Sequence, residues 1–133
     1  MRGNTMNYLE QIFHIWKVLY AKEQDPKLVI EEFFHENYTQ SIKGVILNRA
    51  EYIRHVIEQR KHIQKMEFEC KIHMSENDQL FILYDAKGSN IQGDQIIAEV
   101  IAYFEFKDQK VFKIHGQVHL LQGDPSDVDM AKE

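Results

Sequence analysis

Seven histidines, a single cysteine and an excess of carboxylates are the groups through which this chain could do chemistry. His115 and His119 lie in an alternating segment. At about 3.3 Å per strand residue their side chains stand roughly 13 Å apart, too far to hold one ion with bonds near ~2 Å. His55 and His62 share a helical face, separated by about 10 Å at roughly 1.5 Å rise per residue. Neither pair makes a chelating set, and no metal site is expected. Cys70 could pair with a distant histidine as nucleophile and base, but its alternating apolar surroundings point to an inert, buried thiol. Arg54, Arg60, Lys61, His62 and Lys65 crowd the end of a helical segment. The helix dipole favours cations there, so a solvated face accounts for them.

Charge and composition narrow the field further. The chain has 133 residues, is 44% apolar and carries a net charge of -5. That length suits one domain with a sizeable core, expected over residues 1–122, followed by an acidic, turn-rich tail over 123–133. The negative balance opposes the counterion release that drives binding to nucleic acid or to an anionic membrane, so neither partner is expected. One cysteine can form no internal disulfide, which fits a reducing compartment. No leading apolar run resembles a signal peptide, and no stretch approaches the ~20 residues of a spanning helix. A soluble, cytoplasmic protein is the expectation.

The elements that would position any site read clearly. From Asn7 to about Glu23, the residues Leu9, Ile12, Phe13, Trp16, Leu19 and Tyr20 recur at helical spacing on one face. Asp25 before Pro26 reads as a helix cap with proline in the first turn, opening a short helix that ends near His35. Tyr38 to Lys43 reads as a short strand. Asn48 with Glu51 forms a capping-box pattern for a third helix reaching about Gln64. Beyond Lys65 the period changes to two. Met66, Phe68, Cys70, Ile72 and Met74 alternate with polar residues, and three further strands follow: Gln79 to Lys87, Asp94 to Lys107 and Lys110 to Gln122. Helices followed by an antiparallel meander imply an α+β fold, with the helices on one face of a curved sheet.

The third long strand is apolar on both sides. Ala98, Val100, Ala102, Phe104 and Phe106 share one face, while Ile97, Ile101 and Tyr103 share the other with Glu99 and Glu105. A sheet already covered by helices on one side should be polar on its opposite side, so a homodimer through Ile97, Ile101 and Tyr103 is expected.

The run Phe34-His35-Glu36-Asn37-Tyr38-Thr39-Gln40-Ser41 leading to Gly44 resembles the nuclear transport factor 2-like (cystatin-like) superfamily. So do Lys110-Val111-Phe112-Lys113-Ile114-His115-Gly116-Gln117 and the closing Val118-His119-Leu120-Leu121-Gln122-Gly123-Asp124. Within that superfamily the chain is similar to stand-alone SnoaL-like proteins. The resemblance spans about Asn7 to Asp124. It implies a conical fold with helices closing the concave side of a mainly antiparallel sheet over a pocket, frequently in a dimer. It also implies where acid and base groups would sit. The two aspartates of ketosteroid isomerases correspond to Ser41 and Ala102, and the aspartate of SnoaL-like cyclases corresponds to Gly116.

With Gly116 turned inward, alternation sends Phe112, Ile114, Val118 and Leu120 inward too, and places Lys113, His115, Gln117 and His119 outside. The expected pocket lining is Phe13, Trp16 and Tyr20 from the first helix, then Ser41, Tyr84, Val100, Ala102 and Phe104, with Ile114, Gly116 and Val118 at the closing strand. Such a lining suits a small apolar or amphipathic molecule held without a cofactor. An enzyme using Tyr20 or Tyr84 as acid, and a dimeric scaffold with no ligand, are the alternatives.

Overall fold

The computed structural model describes residues 7–123, which form three helices and six strands. The tail expected over 123–133 lies outside the described residues, except for Gly123. Helix α1 (Tyr8–Leu19) starts at a reciprocal cap: the Asn7 side chain accepts from the Glu10 amide at 2.8 Å, and the Glu10 carboxylate accepts from the Asn7 amide at 3.2 Å. Helix α2 (Pro26–Phe33) starts with Asp25 accepting from the Lys27 amide at 2.9 Å. Helix α3 (Arg49–Arg60) repeats the capping box with Asn48 and Glu51. Each cap satisfies an N-terminal amide that the helix itself leaves without a partner.

All three helices end earlier than the sequence suggests, α2 at Phe33 rather than near His35 because β1 already begins at Phe34. Helix α1 stops at Leu19 rather than near Glu23, and the chain then turns toward α3. The Arg60 guanidinium donates there to the carbonyls of Gln24 at 2.7 Å, Ala21 at 2.8 Å and Lys22 at 3.2 Å. Helix α3 stops at Arg60, because Ile63 already belongs to the next strand.

The sheet has the order β2-β1-β6-β5-β4-β3. Strand β1 (Phe34–Ile42) follows α2 without a loop, and β2 (Val45–Asn48), absent from the sequence reading, pairs back across a turn at Lys43 and Gly44 with φ of 55° and 81°. The expected meander is present as β3 (Ile63–Glu76), β4 (Gln79–Asn90), β5 (Gln95–Lys107) and β6 (Lys110–Gln122). All pairings are antiparallel except that of β1 with β6. Strand β4 runs on through Gly88 to Asn90 instead of ending at Lys87. A Cβ at Gly88 would overlap the Lys65 carbonyl oxygen, so glycine is what lets β3 come close.

Irregularities in the ladder reassign side chains that alternation alone misplaces. Between Cys70 and Ile72 the register shifts, leaving Lys71 as the extra residue of a bulge. Met66, Phe68 and Cys70 pack with the helices, whereas Ile72 and Met74, expected on the same face, stand on the opposite one with 58% and 70% exposure. A second shift falls at Phe112, so Val111 is buried and Phe112 is only half-buried against the His35 ring, contrary to the expectation that Phe112 turns inward. Bulges bend the strand that carries them, which curves the sheet around the helices.

The core sits between that curved face and the helices. Ile12, Ile15, Trp16 and Leu19 of α1, Val29 and Ile30 of α2, and Tyr52 and Val56 of α3 are all buried against it. One end of α1 is pinned to the hairpin turns. Tyr8 stacks on Phe106 with centroids 3.9 Å apart, its hydroxyl donates to Asp78 at 2.7 Å, and Gln11 donates to the Gln109 carbonyl at 2.9 Å.

Candidate functional site

Small residues open a hollow under the helices. On the concave face Ala86 pairs with Ala98, and Ala102 pairs with Gly116, whereas neighbouring rows carry Tyr84, Val100 and Val118 or Phe104 and Ile114. A helix packed over such a floor touches the large side chains and leaves volume above the small ones. The result is a cavity of about 120 Å³ walled by these residues and by Trp16, Tyr20, Gln40, Ile42, Tyr52, Gln59 and Phe68. For scale, an apolar cavity of about 150 Å³ accepts benzene.

Of the residues expected around the pocket, Trp16, Tyr20, Tyr84, Val100, Ala102, Phe104, Ile114, Gly116 and Val118 are brought together here. His115 and His119 are exposed on the far side of β6, as alternation from Gly116 requires. Phe13 is not in the wall. One helical turn before Trp16, it packs on that ring at 5.5 Å and borders an outer depression with Lys17, Met66 and Glu67. Ser41 is not in the wall either. Tyr38 and Gln40 are both 1% exposed and define the inward face of β1, so the intervening positions point away, and Ser41 lies beside His115 of β6. The inward residue at this point of β1 is Gln40.

Gln40, Ile42, Tyr52, Gln59 and Phe68 are wall residues that the sequence reading left out of the pocket. Tyr38-Thr39-Gln40-Ser41-Ile42 already alternates, and carrying that pattern through would have found Gln40 and Ile42. Tyr52 and Gln59 lie seven apart, two turns along one helical face. What no local pattern conveys is that α3 lies over the same hollow as α1.

Aromatic rings form most of the wall. Trp16 lies 4.7 Å from Tyr84, 4.8 Å from Phe68 and 5.9 Å from Phe104, in tilted and edge-on arrangements that aromatic pairs favour. The polar atoms are phenols and amides. Tyr20 donates to Gln59 Oε1 at 2.9 Å, and Tyr38, behind the wall, donates to Gln40 Oε1 at 2.7 Å. Burial pushes the Tyr20 hydroxyl up to about 12, against a small opposing pull from Arg60. Burial likewise holds Tyr84 far above its ordinary value, with proximity to Tyr20 adding to the effect. Tyr38 and Tyr52 are raised well above the usual phenol value, first by burial and then by the neighbouring tyrosines. These hydroxyls stay protonated across the neutral range.

Among the described residues, the wall contains no aspartate, glutamate, histidine, cysteine, lysine or arginine. Its inventory can shape a cavity and donate hydrogen bonds. General acid–base catalysis near neutral pH calls for a group that exchanges protons readily there. Among the described residues no cluster of three histidine, cysteine, aspartate or glutamate side chains is placed to hold a metal ion, and no helix is long and apolar enough to cross a membrane.

No protein-family model matches the chain, and no curated protein does. Solved structures do match it in shape. A candidate SnoaL-like polyketide cyclase from Jannaschia sp. CCS1 aligns at TM-score 0.62 and 12% identity, covering 87% of this chain and 91% of that one. A protein with a ketosteroid isomerase-like fold from Catenulispora acidiphila, solved in complex with trimethylamine, aligns at TM-score 0.64 and 11% identity over 80% and 83% of the two chains. An NTF2-like protein of unknown function from Cytophaga hutchinsonii aligns at TM-score 0.60 and 12% identity over 92% and 95%. At such low identity the likeness is one of architecture, and together with the helix-covered curved sheet it gives this chain the α+β cone fold of the nuclear transport factor 2-like superfamily.

Proposed function

We propose that the chain binds one small, neutral, mostly apolar molecule in the concave cavity and does not transform it. The composition of the wall carries this reading: aromatic and aliphatic surface, phenols and carboxamides, with no side chain that titrates near neutrality. Burying apolar ligand surface there is favourable by about 25 cal/mol per Å², whereas burying an unpaired charge is strongly unfavourable. Turnover would depend on a phenol such as Tyr20 or Tyr84, whose raised proton affinity makes it a poor acid at neutral pH.

The test uses acetophenone and ethylbenzene, each an uncharged ring with a two-carbon arm, as probes in ligand-observed NMR. Saturable, mutually competitive binding is expected, with both probes recovered unchanged. Ala102→Leu fills the hollow from its floor and should weaken both probes by at least about tenfold, the scale of one or two lost methylene contacts. Absence of saturation, or binding indifferent to Ala102→Leu, would overturn the proposal.

We further infer that a second copy covers the outer sheet face. There Met74, Phe81 and Tyr103 form one cross-strand row, and Ile72, Leu83 and Ile101 the next. The second row adjoins a polar strip where Lys71 bridges Asp85 at 3.1 Å and Glu99 at 2.9 Å. An apolar centre with a charged rim is the layout of a protein contact, and two-fold pairs are the commonest homo-oligomers. A cytoplasmic location fits the unpaired Cys70; recovery of the protein in the soluble cytoplasmic fraction of its host would support it.

A further inference from the structure

Among the described residues, the cavity wall is made of helix and strand side chains with one exception. Trp16 lies on α1, Tyr52 and Gln59 on α3, and the others on strands, whereas Tyr20 caps the C-terminal end of α1. Its φ of -98° and ψ of 5° turn the chain out of the helix. Tyr20 and Phe68 also line the outer depression, together with Phe13, Lys17, Met66 and Glu67. These two rings, with centroids 5.9 Å apart, are therefore the partition between the hollow and the depression. Both are half-buried, and the depression beyond them has about 390 Å³ of room, with the exposed Lys17 and Glu67 at its rim.

The two rings are held differently. Phe68 belongs to a ladder, opposite Ala86 of β4. The backbone at Tyr20 is fixed as well, because its amide donates to the Trp16 carbonyl at 3.2 Å and Arg60 holds the carbonyls of Ala21, Lys22 and Gln24. The Tyr20 side chain has a single hydrogen bond, the 2.9 Å contact with Gln59 Oε1.

We propose that Tyr20 is a gate: the ligand enters and leaves between α1 and β3, through the space its ring vacates on swinging into the outer depression, and the hydrogen bond to Gln59 is the latch. The inference rests on the binding function proposed above and adds the route. Displacing a strand would break its ladder, and displacing a helix would unpack its buried face. Rotating one side chain costs far less, a single hydrogen bond and part of a ring contact. The latch closes the empty chain and the loaded chain alike, so it slows association and dissociation together.

Ethylbenzene serves as the kinetic probe, its association and dissociation rates read from NMR exchange line shapes on the wild-type chain, Tyr20→Phe and Lys17→Phe. Tyr20→Phe keeps the ring and removes the latch, so both rates should rise by about fivefold, the worth of one hydrogen bond between neutral groups. Lys17→Phe sets a ring where Tyr20 must go, from an exposed position on the rim, and both rates should fall. A reading without ligand uses Trp16, the chain's one tryptophan, which lies in the wall 4.8 Å from Phe68. Acrylamide quenching of its emission in the free chain should follow the same order, strongest in Tyr20→Phe and weakest in Lys17→Phe. Faster dissociation with unchanged association in Tyr20→Phe would make Tyr20 a ligand contact and no gate, and equal quenching in the three chains would show that the partition stays shut. Either result overturns this inference and leaves the binding function standing. If ethylbenzene does not bind the wild-type chain, the binding function fails, and the quenching series alone upholds or overturns the gate.

Discussion

Gln40 and Ser41 differ by one position and by nearly everything that matters to a ligand. The first turns inward, its amide oxygen accepting from Tyr38 at 2.7 Å, and the second faces outward beside His115. The phenols are similarly specific. Tyr20, Tyr38, Tyr52 and Tyr84 are all raised by burial, so the folded state holds their protons more tightly than the unfolded chain does. For a group whose folded value exceeds its unfolded value of about 10, the associated stability is complete below that pH and is lost as pH rises through the folded value. Absorbance titration at alkaline pH should therefore show Tyr20, Tyr38, Tyr52 and Tyr84 ionising above the ordinary phenol range. Unfolding free energy should be insensitive to these groups up to about pH 9 and fall above about pH 10. Normal ionisation of these four tyrosines in a chain still folded by circular dichroism would refute the enclosed cluster.

Elements matter here mainly where they are irregular. The bulge at Lys71 turns the second half of β3 over, moving Ile72 and Met74 from the expected core to the outer surface. The end of α3 is equally consequential, because Arg60 serves as the clasp for the turn between α1 and α2. A local excess of cations had suggested a solvated face, yet this guanidinium is committed to three carbonyl acceptors. Arg60→Ala should destabilise the fold by about 2 kcal/mol, in the range for charge-assisted hydrogen bonds to carbonyls. A urea denaturation midpoint unchanged from wild type would show the clasp to be energetically idle. Because Gln59 adjoins Arg60 and receives the Tyr20 hydroxyl, the same variant should also weaken acetophenone binding.

Whole-molecule behaviour follows from the two faces of the sheet. One is covered by three helices and keeps a hollow. The other is bare in the single chain, with Ile72, Met74, Phe81 and Ile101 each about half exposed or more: 58%, 70%, 49% and 50%. If a second copy covers that face, light scattering at micromolar concentration should give twice the mass of 15.8 kDa. Phe81→Lys with Ile101→Lys should return the monomer without loss of secondary structure. A wild-type monomer under those conditions would remove the dimer.

Much of the architecture was legible in the sequence because its signals are local. Asn7 with Glu10, Asp25 with Pro26 and Asn48 with Glu51 announce helix starts through bonds made within a single turn. Alternation in β4, β5 and most of β6 likewise separates inward from outward residues without reference to any partner, which is why Tyr84, Val100, Ala102 and Gly116 could be placed together. Tertiary structure decided the rest. Bulges at Lys71 and Phe112 arise from how neighbouring strands register, the parallel pairing of β1 with β6 joins segments far apart in the chain, and β2 exists only because β1 offers it an edge. The hydrogen bond from Tyr20 to Gln59 and the placement of α3 over the hollow belong to the same class. Each depends on which distant groups come within bonding reach, a property that a residue's immediate neighbours in the chain do not encode.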